Sequence, residues 1–256
     1  MTDIPSVDLG GGALMPMVGF GTWQLAGRRA YDPVRYALEV GYRHIDTATM
    51  YRNESDVGRA LRDSGVDRGE VFITTKLPPS NAGRARATLA ESLRALGTDY
   101  VDLWLIHWPP RRGASVPLWR EFLALRDEGR CRSVGVSNYD ITQIDELTAA
   151  TGEQPAVNQI PWSPAQHDPA LLAAHADRGI AVEGYSSLKG TRLGDRVLAE
   201  IAARHGVTPA QVVLRWQLEH NITAIPKSSH PDRIKSNFDL FGFSLTPEEV
   251  ARLDRL

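Results

Sequence analysis

The chain has 256 residues, with 29 basic and 31 acidic side chains, a formal charge of −2, 42% apolar residues, 23% charged residues and a single cysteine. That apolar fraction fills a core and excludes disorder, and the interspersed, near-neutral charge offers no footprint for nucleic acid or an anionic membrane surface. Cys131 alone provides neither an intramolecular disulfide nor a cysteine-based zinc site, and no leader pattern or run of about 18 apolar residues occurs, so a soluble cytoplasmic protein is expected.

The pattern opens on a hairpin, 6–9 and 13–16, joined through Gly10-Gly11-Gly12. Short apolar runs then alternate with amphipathic segments. Strands are predicted over 18–21, 44–46, 71–76, 101–107, 133–137, 157–160, 181–185 and 223–225. Helices are predicted over 32–40, 53–64, 82–96, 118–128, 141–149, 169–178 and 196–205, with Asp140 and Asp168 placed to cap two of them. An extra helix, 209–219, precedes the last strand, one begins near Pro231, and 247–256 closes the chain. No repeat or linker divides it. Strands each followed by a helix imply a single α/β domain over 1–256, a (β/α)8 TIM barrel with an N-terminal hairpin and extra helices before strand eight and at the C-terminus. A Rossmann unit is disfavoured, because Gly19-Phe20-Gly21 is followed by Thr22-Trp23-Gln24 and lacks the third glycine.

Barrel enzymes work at the C-terminal ends of their strands, so inward polar residues there are the candidates. Period-two alternation puts Asp46, Lys76 and His107 at the ends of three neighbouring strands, and Tyr51 follows in a loop able to fold over the same mouth. His44 shares the face of Asp46 but reads as a packed core histidine. Tyrosine, with a pKa of about 10, is a poor acid at neutral pH unless a cation stabilises its phenolate. Lys76 supplies that cation, Asp46 holds Lys76, and His107 is placed to hydrogen-bond a carbonyl oxygen; a lowered Tyr51 pKa is the expectation.

These residues resemble the aldo-keto reductase family along essentially the whole chain. The resemblance rests on Gly19-Phe20-Gly21-Thr22-Trp23, 41–48 with Tyr51, Lys76, 105–109, 135–138, Asn158-Gln159 and 225–228, and it is nearest to the bacterial diketogluconate-reductase-like branch. It implies Tyr51 as proton donor within a tetrad completed by Asp46, Lys76 and His107, and hydride transfer from NADPH to an aldehyde or ketone. It also implies that Thr22, Ser137, Asn138 and Gln159 bind cofactor, the last three at the carboxamide, and that Tyr185 stacks on the nicotinamide. Ser186 and Leu188 fall by the pyrophosphate. Lys227 and Arg233 fall by the 2′-phosphate and Asn237 by the adenine, and Ser228, beside Lys227, also binds cofactor. Trp23, Met50, Trp108 and, less directly, Trp162 are expected to line the substrate pocket.

Departures from the family pattern are Ser187 and Lys189 after the stacking tyrosine, Ser236 before Asn237, and Pro161-Trp162-Ser163 after the sixth strand. The chain also stops at Leu256, where longer relatives continue into a loop over the pocket, so an open pocket is expected. No metal-binding histidine pattern, nucleophile elbow or P-loop is present. The partner expected is therefore a small carbonyl compound acted on by a monomer. The alternatives are an NADPH-binding protein with little turnover, against which the complete tetrad argues, and a nicotinamide-independent lyase or isomerase on the same barrel.

Overall fold

The structure, a computed structural model, describes residues 4–256. It opens on an antiparallel hairpin, β1 (Ser6–Asp8) and β2 (Leu14–Pro16), in the register Ser6↔Pro16, Val7↔Met15 and Asp8↔Leu14. Its turn passes through Gly10, Gly11 and Gly12 at φ of 83°, 61° and 82°, a path that side chains resist. Met15 is buried and packs, with Val7 and Leu9 beside it, against Phe72, Leu103, Leu105 and Val157. The hairpin thus closes the N-terminal end of the main sheet.

That sheet runs β3 (Phe20–Gly21), β4 (His44–Asp46), β5 (Phe72–Leu77), β6 (Val101–Ile106), β7 (Cys131–Ser137), β8 (Val157–Pro161), β9 (Ala181–Tyr185) and β10 (Thr223–Ala224), each parallel to its neighbour. Its two edges meet in a parallel bridge between Val18 and Ala224. Gly19 N–H donates to Ala224 O at 2.8 Å, Ala224 N–H to Met17 O at 2.9 Å and Gly21 N–H to Pro226 O at 3.0 Å, so the sheet closes into a (β/α)8 barrel. Glycine is required at the seam: a Cβ on Gly21 would lie 2.8 Å from Ile225 O. The strands expected over 18–21 and 223–225 are shorter here, with two residues each.

Outside the barrel lie α1 (Arg28–Val40), α2 (Glu54–Ser64), α3 (Ala85–Leu96), α4 (Val116–Asp127), α5 (Ile141–Thr151), α6 (Pro169–Ala176), α7 (Arg196–His205), α8 (Pro209–Glu219), α9 (Pro231–Phe238) and α10 (Pro247–Leu253). Asp140 caps α5 in a box with Gln143, and Asp168 accepts from the first backbone N–H groups of α6, as their positions suggested. The first helix, expected over 32–40, begins a turn earlier after Gly27 at φ 59°, so Pro33 lies inside α1.

Aromatic packing fills the layer between sheet and helices. Trp104 stacks on Phe122 with ring centroids 3.7 Å apart, and Trp162 stacks on Trp216 at 6.4 Å. Trp162 is therefore not a pocket residue. It is 1% exposed, because Pro161 ends β8 and the chain folds outward beneath α8.

Candidate active site

Asp46 is the last residue of β4, Lys76 lies near the end of β5, and His107 directly follows β6. Tyr51 rides on a single 3-10 turn, Thr49–Tyr51, whose start is tied down by Thr49 Oγ1 donating to Lys76 O at 3.0 Å. The next anchor is Asn53. Its Nδ2 donates to Thr22 O at 3.0 Å and Leu25 O at 2.7 Å, while Thr47 Oγ1 donates to its Oδ1 at 2.7 Å. This fully buried amide joins the loop carrying Tyr51 to the loop after β3. Sequence reasoning saw only a helix start there.

Lys76 is completely buried and spends its hydrogens on Asp46 Oδ1 (2.7 Å), Asp46 Oδ2 (2.6 Å) and Thr47 O (2.8 Å). Its Nζ lies 3.5 Å from Tyr51 Oη. Burial alone would lower the ammonium's pKa, but Asp46 chiefly, with Tyr51, outweighs it, so Lys76 stays firmly charged. The phenol corrects the expectation. Burial raises the Tyr51 pKa, and Lys76 offsets this only in part, because its charge is already paired with Asp46 and the Nζ–Oη contact is long. Tyr51 thus holds its proton at neutral pH. The His107 ring stands edge-on to Tyr51, with centroids 5.8 Å apart. Burial, then the charge of Lys76, brings its pKa down to about 3, so the imidazole is neutral.

Beneath these residues lies Glu183 on β9, fully buried and unremarked in the sequence. Gln159 Nε2 donates both to Glu183 Oε2 at 2.6 Å and to Asp46 Oδ2 at 2.9 Å. Burial, and then the charge of Asp46, raises the Glu183 pKa to about 8. A carboxyl inside period-two reach of Tyr185 was the available signal.

Above this floor opens a cleft of about 520 Å³, within the usual size of small-molecule sites. It is lined by Asp46, Tyr51 and His107, by Trp23, Met50 and Trp108, by Ser137, Asn138, Gln159, Tyr185, Ser186 and Leu188, and by Lys227. Gln24, Ser187 and Lys189 also face it, and Lys189 Nζ sits 5.2 Å from the centre of the Trp23 ring. Thr22 and Lys76 are buried behind the cleft wall. Ser228, Arg233 and Asn237 lie outside its lining, Arg233 exposed and Asn237 buried on α9.

The residues present fit a dinucleotide. Asn138 and Ser186, just past β7 and β9, hold left-handed backbones at φ 64° and 58°, and Gln24 does so at 64°; all three face the cleft. Strained, non-glycine backbone at a cleft is typical of ligand clamps. Tyr185 Oη donates to Asn138 Oδ1 at 2.6 Å, which fixes the ring at the wall, and the buried Thr22 Oγ1 has no partner among the described residues.

Among the described residues, His167, His220 and Asp254 also come together, although no sequence pattern joins them. Asp254 Oδ1 accepts from Trp216 Nε1 at 2.7 Å and pairs with His220 Nε2 at 2.8 Å, so hydrogen bonds within the group already account for the carboxylate.

A closed parallel barrel with a carboxylate, ammonium, imidazole and phenol at its C-terminal mouth, beside a cleft of small-molecule size, together with the similarities that follow, defines a carbonyl-reducing, NADP-dependent oxidoreductase. The sequence profile described as Aldo/keto reductase family matches residues 17–256. An aldo-keto reductase of Mycolicibacterium smegmatis is 45% identical, over 98% of this chain and 93% of its own. The 2,5-diketo-D-gluconic acid reductase B of Corynebacterium is 42% identical, over 100% of this chain and 94% of its own. The crystal structure of a Bombyx mori aldo-keto reductase in complex with NADP superposes with a TM-score of 0.93 at 34% identity, covering 100% of this chain and 93% of that one. The chain belongs to the aldo/keto reductase family, in its diketogluconate-reductase-like branch. No helix among the described residues is long and apolar enough to cross a membrane.

Proposed function

We propose that the chain reduces aldehydes or ketones to alcohols with a preference for NADPH, and that Tyr51 delivers the proton. The observation that carries this reading is the contact at the floor of the cleft, where Lys76, clamped by Asp46, lies 3.5 Å from Tyr51 Oη. When bound, the nicotinamide supplies the hydride. The chain's own side chains do the rest.

Tyr51 holds its proton until the carbonyl oxygen gains negative charge, then releases it, and Lys76 stabilises the phenolate left behind. Neutral His107 donates a hydrogen bond to the same oxygen. Trp23, Met50 and Trp108, 43%, 54% and 46% exposed, form apolar walls open to extended or aromatic carbonyl compounds. Ser137, Asn138 and Gln159 hold the carboxamide, Tyr185 stacks on the ring, Thr22, Ser186, Leu188 and Ser228 complete the cradle, Lys227 and Arg233 take the 2′-phosphate, and Asn237 takes the adenine. The protein works as a monomer.

Tyr51→Phe is expected to lower kcat for aldehyde reduction by about 10²–10⁴-fold while NADPH binding, read by fluorescence, persists. Retained turnover would refute Tyr51 as donor. Because a bidentate Arg beside a Lys recognises a phosphate, Lys227→Ala and Arg233→Ala should each weaken NADPH by about tenfold or more and leave NADH nearly unchanged. Equal losses for both would refute the preference.

A further inference from the structure

Lys76 has three hydrogens, and Asp46, Thr47 and Tyr51 are the groups they face. None reaches Glu183. That carboxyl therefore sits in the barrel with no counter-charge of its own. Gln159 clips it to Asp46, so two carboxyl groups share one amide nitrogen. Glu183 Oε1 has no hydrogen-bond partner among the described residues, although it is completely buried. A buried carboxylate oxygen left bare is costly.

The one ring facing that oxygen is His44, whose Nε2 is 3.4 Å from it. His44 Nδ1 lies 3.2 Å from Pro16 O, and a carbonyl can only accept, so the ring's hydrogen belongs on Nδ1. A neutral His44 then has a lone pair on Nε2, which accepts the hydroxyl hydrogen of Thr74 at 3.1 Å, and the ring has no hydrogen to offer Glu183. Glu183 Oε1 thus faces an acceptor and no donor, an arrangement that a negative charge on it would make costlier than a neutral acid does.

We propose that Glu183 is a positioning residue of the reductase site: it keeps its proton on Oε1 and anchors Gln159 without competing for the charge of Lys76. The placement of the proton agrees with both environments. Burial brings the His44 pKa down to about 4, whereas burial and Asp46 raise that of Glu183. The charged or titratable groups facing Glu183 are His44 and Asp46 from β4, Lys76 from β5 and Tyr51 from its turn. Gln159 from β8 and Thr223, its register partner on β10, are uncharged.

The consequence is a charge rule for the site. With Glu183 neutral, one cation faces one carboxylate beside the phenol. Once Glu183 ionises, a second negative charge raises the Tyr51 pKa further and the proton becomes harder to release. Because the folded-state pKa is raised, the neutral form persists from the ordinary carboxylate range up to about pH 8 and is lost above it.

The test uses the full chain with NADPH and a reactive aldehyde. Glu183→Gln reproduces the neutral acid, since its carbonyl accepts from Gln159 and the side chain carries no charge. It should keep kcat at neutral pH within about threefold of the parent, the scale of one exchanged hydrogen bond, and should lose the alkaline fall in kcat that the parent shows from about pH 8. Glu183→Ala, which frees Gln159, should raise the NADPH dissociation constant by about tenfold, the scale of a buried polar group left unpaired. An alkaline limb identical in parent and Glu183→Gln overturns the proposal, as does a loss of more than about tenfold in kcat at neutral pH.

Difference infrared spectra of the parent provide a measurement independent of any variant. A buried protonated carboxyl C=O band should be present at neutral pH and disappear as the pH passes about 8. Its absence at neutral pH overturns the proposal. The kinetic arms rest on Tyr51 and Gln159 acting as proposed above, whereas the infrared band does not, so failure of the two readings can be told apart.

Discussion

Asp46 determines how much free charge Lys76 can offer the phenol. It holds Nζ through both carboxylate oxygens, so the ammonium that faces Tyr51 is already half of an ion pair. This arrangement reverses the expected direction for Tyr51, whose pKa lies above rather than below the ordinary value. Under the proposed role of Tyr51 the consequence is favourable, because the phenol is protonated when substrate arrives and Lys76 would act on the phenolate left by its ionisation. Asp46→Asn would leave a wholly buried ammonium without a counter-charge. It should cost about 3–5 kcal/mol, measured by urea unfolding at neutral pH. An unchanged midpoint would mean that the pair is not buried in solution.

At the scale of elements, the site depends on helices that present their faces without strain. α2, which follows Tyr51 and Asn53, packs through Gly58 against the end of α3, where a Cβ would collide with the backbone oxygens of Leu96 and Ala95. Alanine is the better helix former by about 1 kcal/mol. The obstacle is backbone, however, so α2 would have to move. Gly58→Ala should therefore give a net loss of about 1–3 kcal/mol in thermal or urea unfolding. A stabilised variant would show that the two helices are not in contact. The capping residues belong to the same scale: Thr208 and Thr246 form boxes with Gln211 and Glu249 and mark the starts of α8 and α10 as clearly as Asp140 marks α5.

Across the whole molecule, the weakest line is the seam. β3 and β10 have two residues each, whereas β5 and β6 have six and are fully buried. Barrel closure thus rests on a few hydrogen bonds around Val18, Gly19, Gly21 and Ala224. Native-state hydrogen exchange should find the amides of Gly19, Gly21 and Ala224 at least about tenfold less protected than those of Thr75 and Trp104. Equal protection would indicate that the barrel opens only by global unfolding. The cleft lies at the same seam, through Gly21, Ile225 and Pro226, so local opening there bears directly on ligand entry.

Much of this protein was legible along the chain. The order and kind of elements, the hairpin, the extra helix before the last strand, and the convergence of Asp46, Lys76, His107 and Tyr51 all follow from local periodicity and from the rule that strand ends in a barrel share one mouth. Such signals survive because they depend on neighbours a few residues away. Trp162, Asn53 and Glu183 were not legible. Whether an indole faces a cleft or a helix, or a carboxyl keeps its proton, depends on side chains far apart in sequence and on how completely water is removed around them. The direction of the Tyr51 shift belongs to the same class, because desolvation and charge act in opposite senses there and only the packed interior decides which is larger.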